Sequence, residues 1–352
     1  MLAALLRLGA PARMPRRMPS LPRLSRLQSS PALGPSGFET GDLLMTGLNG
    51  AGDISVRVVS CREVVQESIL RNDLSTQSGQ VLGEVMACTL MMGAGFKGEE
   101  TLQVNLVGGP TSGIRNVMCI SDGELKVRGL VGRPRFTTGT LTQSSTRDFF
   151  GDDGQIQIVR NHPTWRQPNT GIVALRGSAS VSLNLALYMT ESEQRSAFML
   201  TDVKVEGNLC RHALGICVER LPGATEENIE QSIKNVEMVE KKGLRSYLKQ
   251  NSQDVVMQSG NSEFRDFAPV LDKIIDDCFE NMGCELRWTK APRFRCSCGV
   301  DRVWRTLRLL SREDVVSILD EPENEKSVAF TCEFCNTKFA LSREEIIEEL
   351  RL

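Results

Sequence analysis

Four cysteines near the carboxyl end constrain this chain more than any other feature. Cys296-Ser297-Cys298 and Cys332-Glu333-Phe334-Cys335 are two close thiol pairs with 33 residues between them. Each pair fits on a tight loop, and together they supply the four sulfurs of a tetrahedral zinc site. His162 and His212 are the two histidines of the chain and lie far upstream, so a mixed Cys/His site is not expected. A segment of about 65 residues has a meagre core of its own, and one metal ion per chain would staple it. A structural ribbon accounts for the metal but not for the C-x-C half, which is less usual in ribbons than C-x-x-C. Metal-bound thiols are thiolates, the oxidisable form. An oxidant that reached them would expel the metal and remove the staple in one event. Spacing alone leaves the ribbon and the redox switch both open.

The other seven cysteines are scattered, and the total of 11 is odd, unlike a secreted disulfide framework. Cys61, Cys88, Cys119, Cys210 and Cys217 read as small buried hydrophobes.

The chain has 352 residues, 40% hydrophobic and 24% charged, which suits two or three globular domains and excludes a fibrous or wholly disordered chain. Its net charge of −2 conceals an asymmetry. Residues 1–38 carry Arg7, Arg13, Arg16, Arg17, Arg23 and Arg26 and no acid; without those six charges the remainder stands at −8. An Arg-rich, acid-free leader has the composition of an organelle transit peptide, for mitochondrion or chloroplast. No run of 18 apolar residues argues for a membrane span.

Residues 40–223 read as an α+β domain with an antiparallel-rich sheet. Expected strands are Ile54–Val59, Thr101–Val107, Ile114–Ile120, Glu124–Val131, Gln155–Arg160, Gly171–Arg176 and Leu214–Glu219. Asp122-Gly123 is the expected hairpin turn, because that pair tolerates a left-handed conformation. Cys61–Arg71, Ser78–Met92 and Ser180–Met189 read as helices.

Residues 224–284 change character. They hold one apolar stripe at Ile229, Ile233 and Val236 and a stronger one at Leu271, Ile274, Ile275, Cys278 and Met282. Asn251–Asn261 between them reads as a loop. The two helices need a partner surface; periodicity does not say whether they dock on it permanently or conditionally.

Residues 285–352 read as the zinc module. Asp301–Leu310 and Ser311–Leu319 look helical, and Val328–Thr331 with Lys338–Leu341 form a hairpin around Cys332–Cys335. Ser311-Arg312-Glu313-Asp314 and Ser342-Arg343-Glu344-Glu345 both have the form of a capping box.

Phe294-Arg295-Cys296-Ser297-Cys298, the 33-residue interval and Cys332-Glu333-Phe334-Cys335-Asn336 resemble the heat-shock protein 33 family. So do Thr101–Pro110 (TLQVNLVGGP), Gly171–Gly177 before a helix ending in Tyr188–Gln194, and Arg302–Leu319. The resemblance spans about residues 42–352. It implies an α+β domain, a metastable helical linker at 224–284 and a four-Cys zinc domain. It also implies a redox-regulated, ATP-independent holdase chaperone and no enzyme. Oxidative stress would close disulfides Cys296–Cys298 and Cys332–Cys335, release Zn2+, unfold the linker and turn a reduced monomer into an oxidised homodimer that holds unfolded client proteins.

This chain departs from the family at Cys210-Arg211-His212-Ala213-Leu214-Gly215, where a Gly pair is common. Cys278 and Cys284, in and beside the linker, are expected to pack rather than exchange disulfides. Two rival classes compete with this reading. Arg287, Lys290, Arg293, Arg295, Arg302, Arg305 and Arg308 with Trp288 and Trp304 form a basic segment suited to nucleic acid, which the acidic remainder disfavours. Gly93-Ala94-Gly95-Phe96-Lys97-Gly98 fits a dinucleotide fingerprint but follows a helix and precedes a strand, the reverse of the required order.

Overall fold

A computed structural model describes residues 41–110, 112–137, 146–250, 267–324 and 326–351, together with Leu6. The chain divides into two compact units at Phe294/Arg295.

The first unit contains two sheets. The elements run β1 (Leu43–Asn49), β2 (Ile54–Ser60), α1 (Arg62–Asn72), α2 (Thr76–Gly93), β3 (Thr101–Val107), β4 (Asn116–Asp122) and β5 (Lys126–Val131). They continue α3 (Thr146–Phe150), β6 (Gln155–Asn161), β7 (Asn169–Ala174), α4 (Val181–Ser192), β8 (Ala197–Glu206) and β9 (Leu209–Arg220). Then come α5 (Glu226–Lys242), α6 (Leu244–Gln250), α7 (Ala268–Cys278), β10 (Cys284–Lys290) and β11 (Arg293–Phe294). Sheet one has the order β10-β1-β2-β9-β8, and sheet two β11-β5-β4-β3-β6-β7. All pairings are antiparallel except the two-residue contact of β11 with β5. The α+β expectation holds.

Helix α2 is the shared core. It packs on β2, β8 and β9 of sheet one and on β3, β4 and β5 of sheet two. That explains why a helix with Val81, Leu82, Val85, Met86, Leu90 and Met91 all buried has so little polar surface. Gly83 lets it approach sheet one: a Cβ there would lie 2.8 Å from Val203 Cγ1.

The hairpin of β4 and β5 forms where expected, with a different turn. Leu125 carries the left-handed φ of 57°, and its N–H closes on Asp122 O at 2.9 Å. Asp122 Oδ1 accepts from the N–H groups of Glu124 and Lys126, which holds the chain in this longer loop. Gly123 is needed for close approach instead, since a Cβ there would lie 2.8 Å from Phe96 O.

The linker helices cover the outer face of sheet one. Helix α5 begins at Thr225, whose Oγ1 accepts from Asn228 N, with Glu226 and Glu227 in the first turn and Lys241 and Lys242 in the last. Ile229, Ile233, Val236, Leu271, Ile274, Ile275, Cys278 and Met282 are all buried against Met45, Ile54, Val56, Val58, Leu214, Ile216 and Val218. Both predicted stripes thus face one surface. Leu6 is buried in the same cluster, and Arg220 Nη1 reaches its carbonyl at 3.4 Å. The other residues of 1–38, and the expected loop at Asn251–Asn261, lie outside the described residues.

Residues 285–294, assigned by sequence to the zinc module, extend the sheets of the first unit. Strand β10 pairs with β1 from Leu44↔Lys290 to Asn49↔Cys284. The short alternation of Cys284–Lys290 is masked in the sequence by three charged residues on an exposed edge strand.

The second unit holds α8 (Val300–Leu307), α9 (Arg312–Leu319), β12 (Ser327–Thr331), β13 (Lys338–Ser342) and α10 (Arg343–Leu350). Its core is small: Leu307, Val315, Leu319, Val328, Leu341 and Ile346. The Ser342 box is complete, with Ser342 Oγ accepting from Glu345 N and Ser342 N donating to Glu345 Oε2. The Ser311 box is half formed. Ser311 Oγ accepts from Asp314 N, while the Asp314 carboxylate bonds the Ser311 hydroxyl. Aspartate is one methylene too short to fold back as glutamate does.

Candidate metal centre

Cys296 and Cys298 lie on the short segment that leads into α8, whose N-cap is Gly299. Cys332 and Cys335 sit on the turn between β12 and β13, closed by the pair Thr331↔Lys338. Two bonds shape that turn: Cys332 N to Thr337 O at 3.0 Å and Asn336 N to Cys332 O at 2.8 Å. Asn336 takes the left-handed φ of 57° that the turn requires, a conformation asparagine tolerates.

The result is a cluster. One sulfur from each of the four cysteines lies within 4.8 Å of all the others. Two contacts run across the pairs, Cys296 Sγ to Cys332 Sγ at 3.6 Å and Cys298 Sγ to Cys335 Sγ at 3.3 Å. A tetrahedral ion with metal–sulfur bonds of about 2.3 Å needs sulfurs about 3.8 Å apart. The four thiols therefore fit a metal ion without rearranging the backbone, and four soft donors are the set that such an ion takes.

The thiols differ in their readiness to ionise. Burial pushes Cys335 up, but hydrogen bonds from Thr337 and the neighbouring Cys298 and Cys332 outweigh it, and the thiol is pulled down to about 7. Burial raises Cys298, as do the Cys335 and Cys296 thiols beside it. Cys296 is raised by burial and by Cys332 and Cys335. Cys335 thus ionises before Cys296 and Cys298, which would ionise more readily once a cation is present.

The remaining cysteines behave as hydrophobes. Cys61, Cys88, Cys119, Cys210 and Cys217 are buried. Burial pushes Cys210 up to about 12 and Cys217 to about 11, which keeps both protonated and inert. Cys278 is buried on the linker stripe, as expected. Cys284 does not pack: it is exposed on β10, and its sulfur accepts from Arg287 Nε at 3.1 Å.

The basic segment does not form one surface within either unit, because Arg287, Lys290 and Arg293 belong to the first and Arg295, Arg302, Arg305 and Arg308 to the second. Arg287 is paired with Asp272 and Asp276, and Arg308 with Glu349. Trp304 packs on the small core of the second unit. Gly93 ends α2 and the glycine run leads into β3, so it is a helix-to-strand loop. His162 bonds Thr164 in a loop, and buried His212 bonds Asp202 Oδ1 at 2.9 Å.

A second set of residues escaped sequence reasoning: the polar anchors of the linker. Buried Asp53 accepts from Asn49 Nδ2 at 2.8 Å and from Asn228 Nδ2 at 2.9 Å, which pins the start of α5 to the β1–β2 turn. Asn235, fully buried, donates to Cys278 O at 3.0 Å and Glu280 O at 2.9 Å, which satisfies carbonyls at the end of α7. Tyr247 OH donates to Asp277 Oδ2 at 2.7 Å, and Lys242 pairs with the same carboxylate. Asn235, a polar residue inside an apolar stripe, was the one available signal.

A family model described as Hsp33 protein matches residues 42–342. The 33 kDa chaperonin of Clostridioides difficile is 25% identical over 320 residues, 88% of this chain and 99% of that protein. That of Clostridium botulinum (strain Loch Maree) is 24% identical over 302 residues, 84% of this chain and 93% of that protein. The crystal structure of the 33 kDa chaperonin of Thermotoga maritima, a heat shock protein 33 homologue, superposes with a TM-score of 0.71 at 20% identity and covers 89% of this chain and 98% of that one.

Proposed function

The chain belongs to the Hsp33 family of chaperones, and from that premise we propose that it is a redox-regulated holdase working without ATP. The carrying observation is the four-sulfur cluster on a unit whose core, among the described residues, centres on six buried side chains. In the reduced chain the thiolates of Cys296, Cys298, Cys332 and Cys335 hold one Zn2+. The ion ties the segment before α8 to the β12–β13 turn and supplies on the order of 10 kcal/mol of folding energy.

Oxidation acts on the thiols. Cys296 and Cys298 together give two electrons to one peroxide, and Cys332 and Cys335 give two to another. With four protons from solvent, two disulfides, four waters and free Zn2+ result. Each disulfide closes within its own pair, so neither replaces the cross-link between the two segments. A small core without that link loses its fold, and the linker, residues 224–284, loses its hold in turn. Its stripes and the face of sheet one beneath them then bind unfolded client proteins by apolar burial, as a homodimer. The same reading takes residues 1–38 as a leader for mitochondrion or chloroplast.

The experiment uses the full chain, reduced and loaded with zinc. Peroxide treatment should release one zinc per chain, place disulfides at Cys296–Cys298 and Cys332–Cys335 by peptide mapping, and suppress light scattering of a heat-unfolded client without ATP. Reductant with zinc should reverse all three. A chain that suppresses aggregation equally before and after oxidation contradicts the redox part; one that never suppresses it contradicts the chaperone part.

A further inference from the structure

At one end of sheet two, the β3–β4 connection and the residues after β5 border an open cavity of about 480 Å3. Its lining includes Gly108, Gly109, Ser112, Arg115, Asn116 and Arg133. No carboxylate lines it among the described residues. Neither Arg115 nor Arg133 has an ion-pair partner among them, although Arg135 pairs with Asp73 and Arg147 with Asp152 close by in the sequence. Both side chains are exposed on the cavity, and their like charges favour an anion between them.

The loop presents Arg115 at an energetic cost. Arg115 has φ 66° and is the centre of a three-residue turn in which Asn116 N–H closes on Ile114 O at 2.9 Å. Turns of this hand are rare and strained for a residue with a side chain. The strain is held in place from both sides. Gly108 N donates to Arg115 O at 2.6 Å, and Gly132 N to Asn116 O at 2.8 Å. Arg133 Nη1 donates to Gly113 O at 3.1 Å, which ties its side chain to the same loop.

We propose that this cavity is a binding site for a phosphate-bearing ligand. Two guanidinium forks, the buried Ser112 hydroxyl and the Asn116 amide offer many donors and no anionic acceptor. The complementary ligand carries at least two negative charges and several acceptor oxygens, the chemistry of phosphate. The volume lies in the range of ligand pockets and exceeds the needs of one phosphate ion, so two linked phosphates are the better probe.

The test is calorimetric titration of the full reduced chain with sodium pyrophosphate at physiological salt, where diffuse attraction is screened. Inorganic phosphate and sulfate serve as the single-anion arms. One site per chain is expected, with pyrophosphate bound more tightly than either single anion. Arg115→Gln and Arg133→Gln should each weaken it about tenfold, the loss of one charge-assisted contact. Arg135→Gln, outside the cavity, should leave it unchanged. Circular dichroism and thermal unfolding establish that each variant is folded. Absence of pyrophosphate binding by the folded chain overturns the proposal. So does equal weakening by Arg135→Gln, which would mark diffuse surface charge.

Discussion

At the scale of single residues, the same side chain type has opposite fates in the two units. Cys217 is a thiol sealed between sheet one and α2 and kept protonated by burial. Cys298 has three sulfurs within 4.8 Å, a set that could hold a metal ion. Cys298→Ser should therefore purify with less than one zinc per chain and lose the helical signal of the second unit on heating first, while Cys217→Ser keeps full metal content. Metal analysis beside far-UV circular dichroism reads both. Two acids set a pH dependence. Burial raises Asp42 from 3.8 to about 7, against the N–H groups of Glu63 and Val64 that it caps, and raises half-buried Glu84 from 4.5 to about 7. A raised carboxyl stabilises the fold fully below its unfolded value, and that contribution is lost as pH rises through its folded value. The first unit should thus unfold at lower temperature at pH 8 than at pH 5, and Glu84→Gln should flatten the fall. A midpoint that rises over that interval would contradict both assignments.

At the scale of elements, legibility followed burial on one face or two. Strand β3 shows its alternation plainly, with Leu102, Val104 and Leu106 buried. Strand β9 reads as an almost continuous apolar run because sheet one is covered by α2 on one side and the linker on the other. Strands β1 and β8 were missed. Gly47 interrupts the first, and Thr201-Asp202 the second, so neither shows a clean period of two. The linker helices were legible as stripes, but the surface they bury was not, because it is assembled from β1, β2 and β9, far apart in sequence. Their polar anchors were invisible for the same reason. Asn235→Ala leaves the carbonyls of Cys278 and Glu280 without their donor and should destabilise the docked linker by about 1–3 kcal/mol. Hydrogen exchange over Glu226–Lys242 should then quicken in the reduced chain while β3 and β4 keep their protection. Unchanged exchange would mean that the apolar face alone holds the linker.

At the scale of the molecule, the sequence placed the four sulfurs in one segment, and spacing was enough to say so. Spacing did not say that sulfurs of different pairs come within 3.3–3.6 Å of one another, which depends on how the β12–β13 turn meets the segment before α8. On the proposed function, a metal cross-link between the two segments is one that within-pair disulfides cannot replace, and oxidation at residues 296–335 would be felt at residues 226–278. Hydrogen exchange by mass spectrometry on the zinc-loaded chain, before and after peroxide, tests this most directly. Peptides from α5 and α7 are expected to lose protection after oxidation and regain it with reductant and zinc, while α2 and sheet two stay protected. Peptides from α5 and α7 that exchange at the same rate in both states, with the zinc gone, would contradict it.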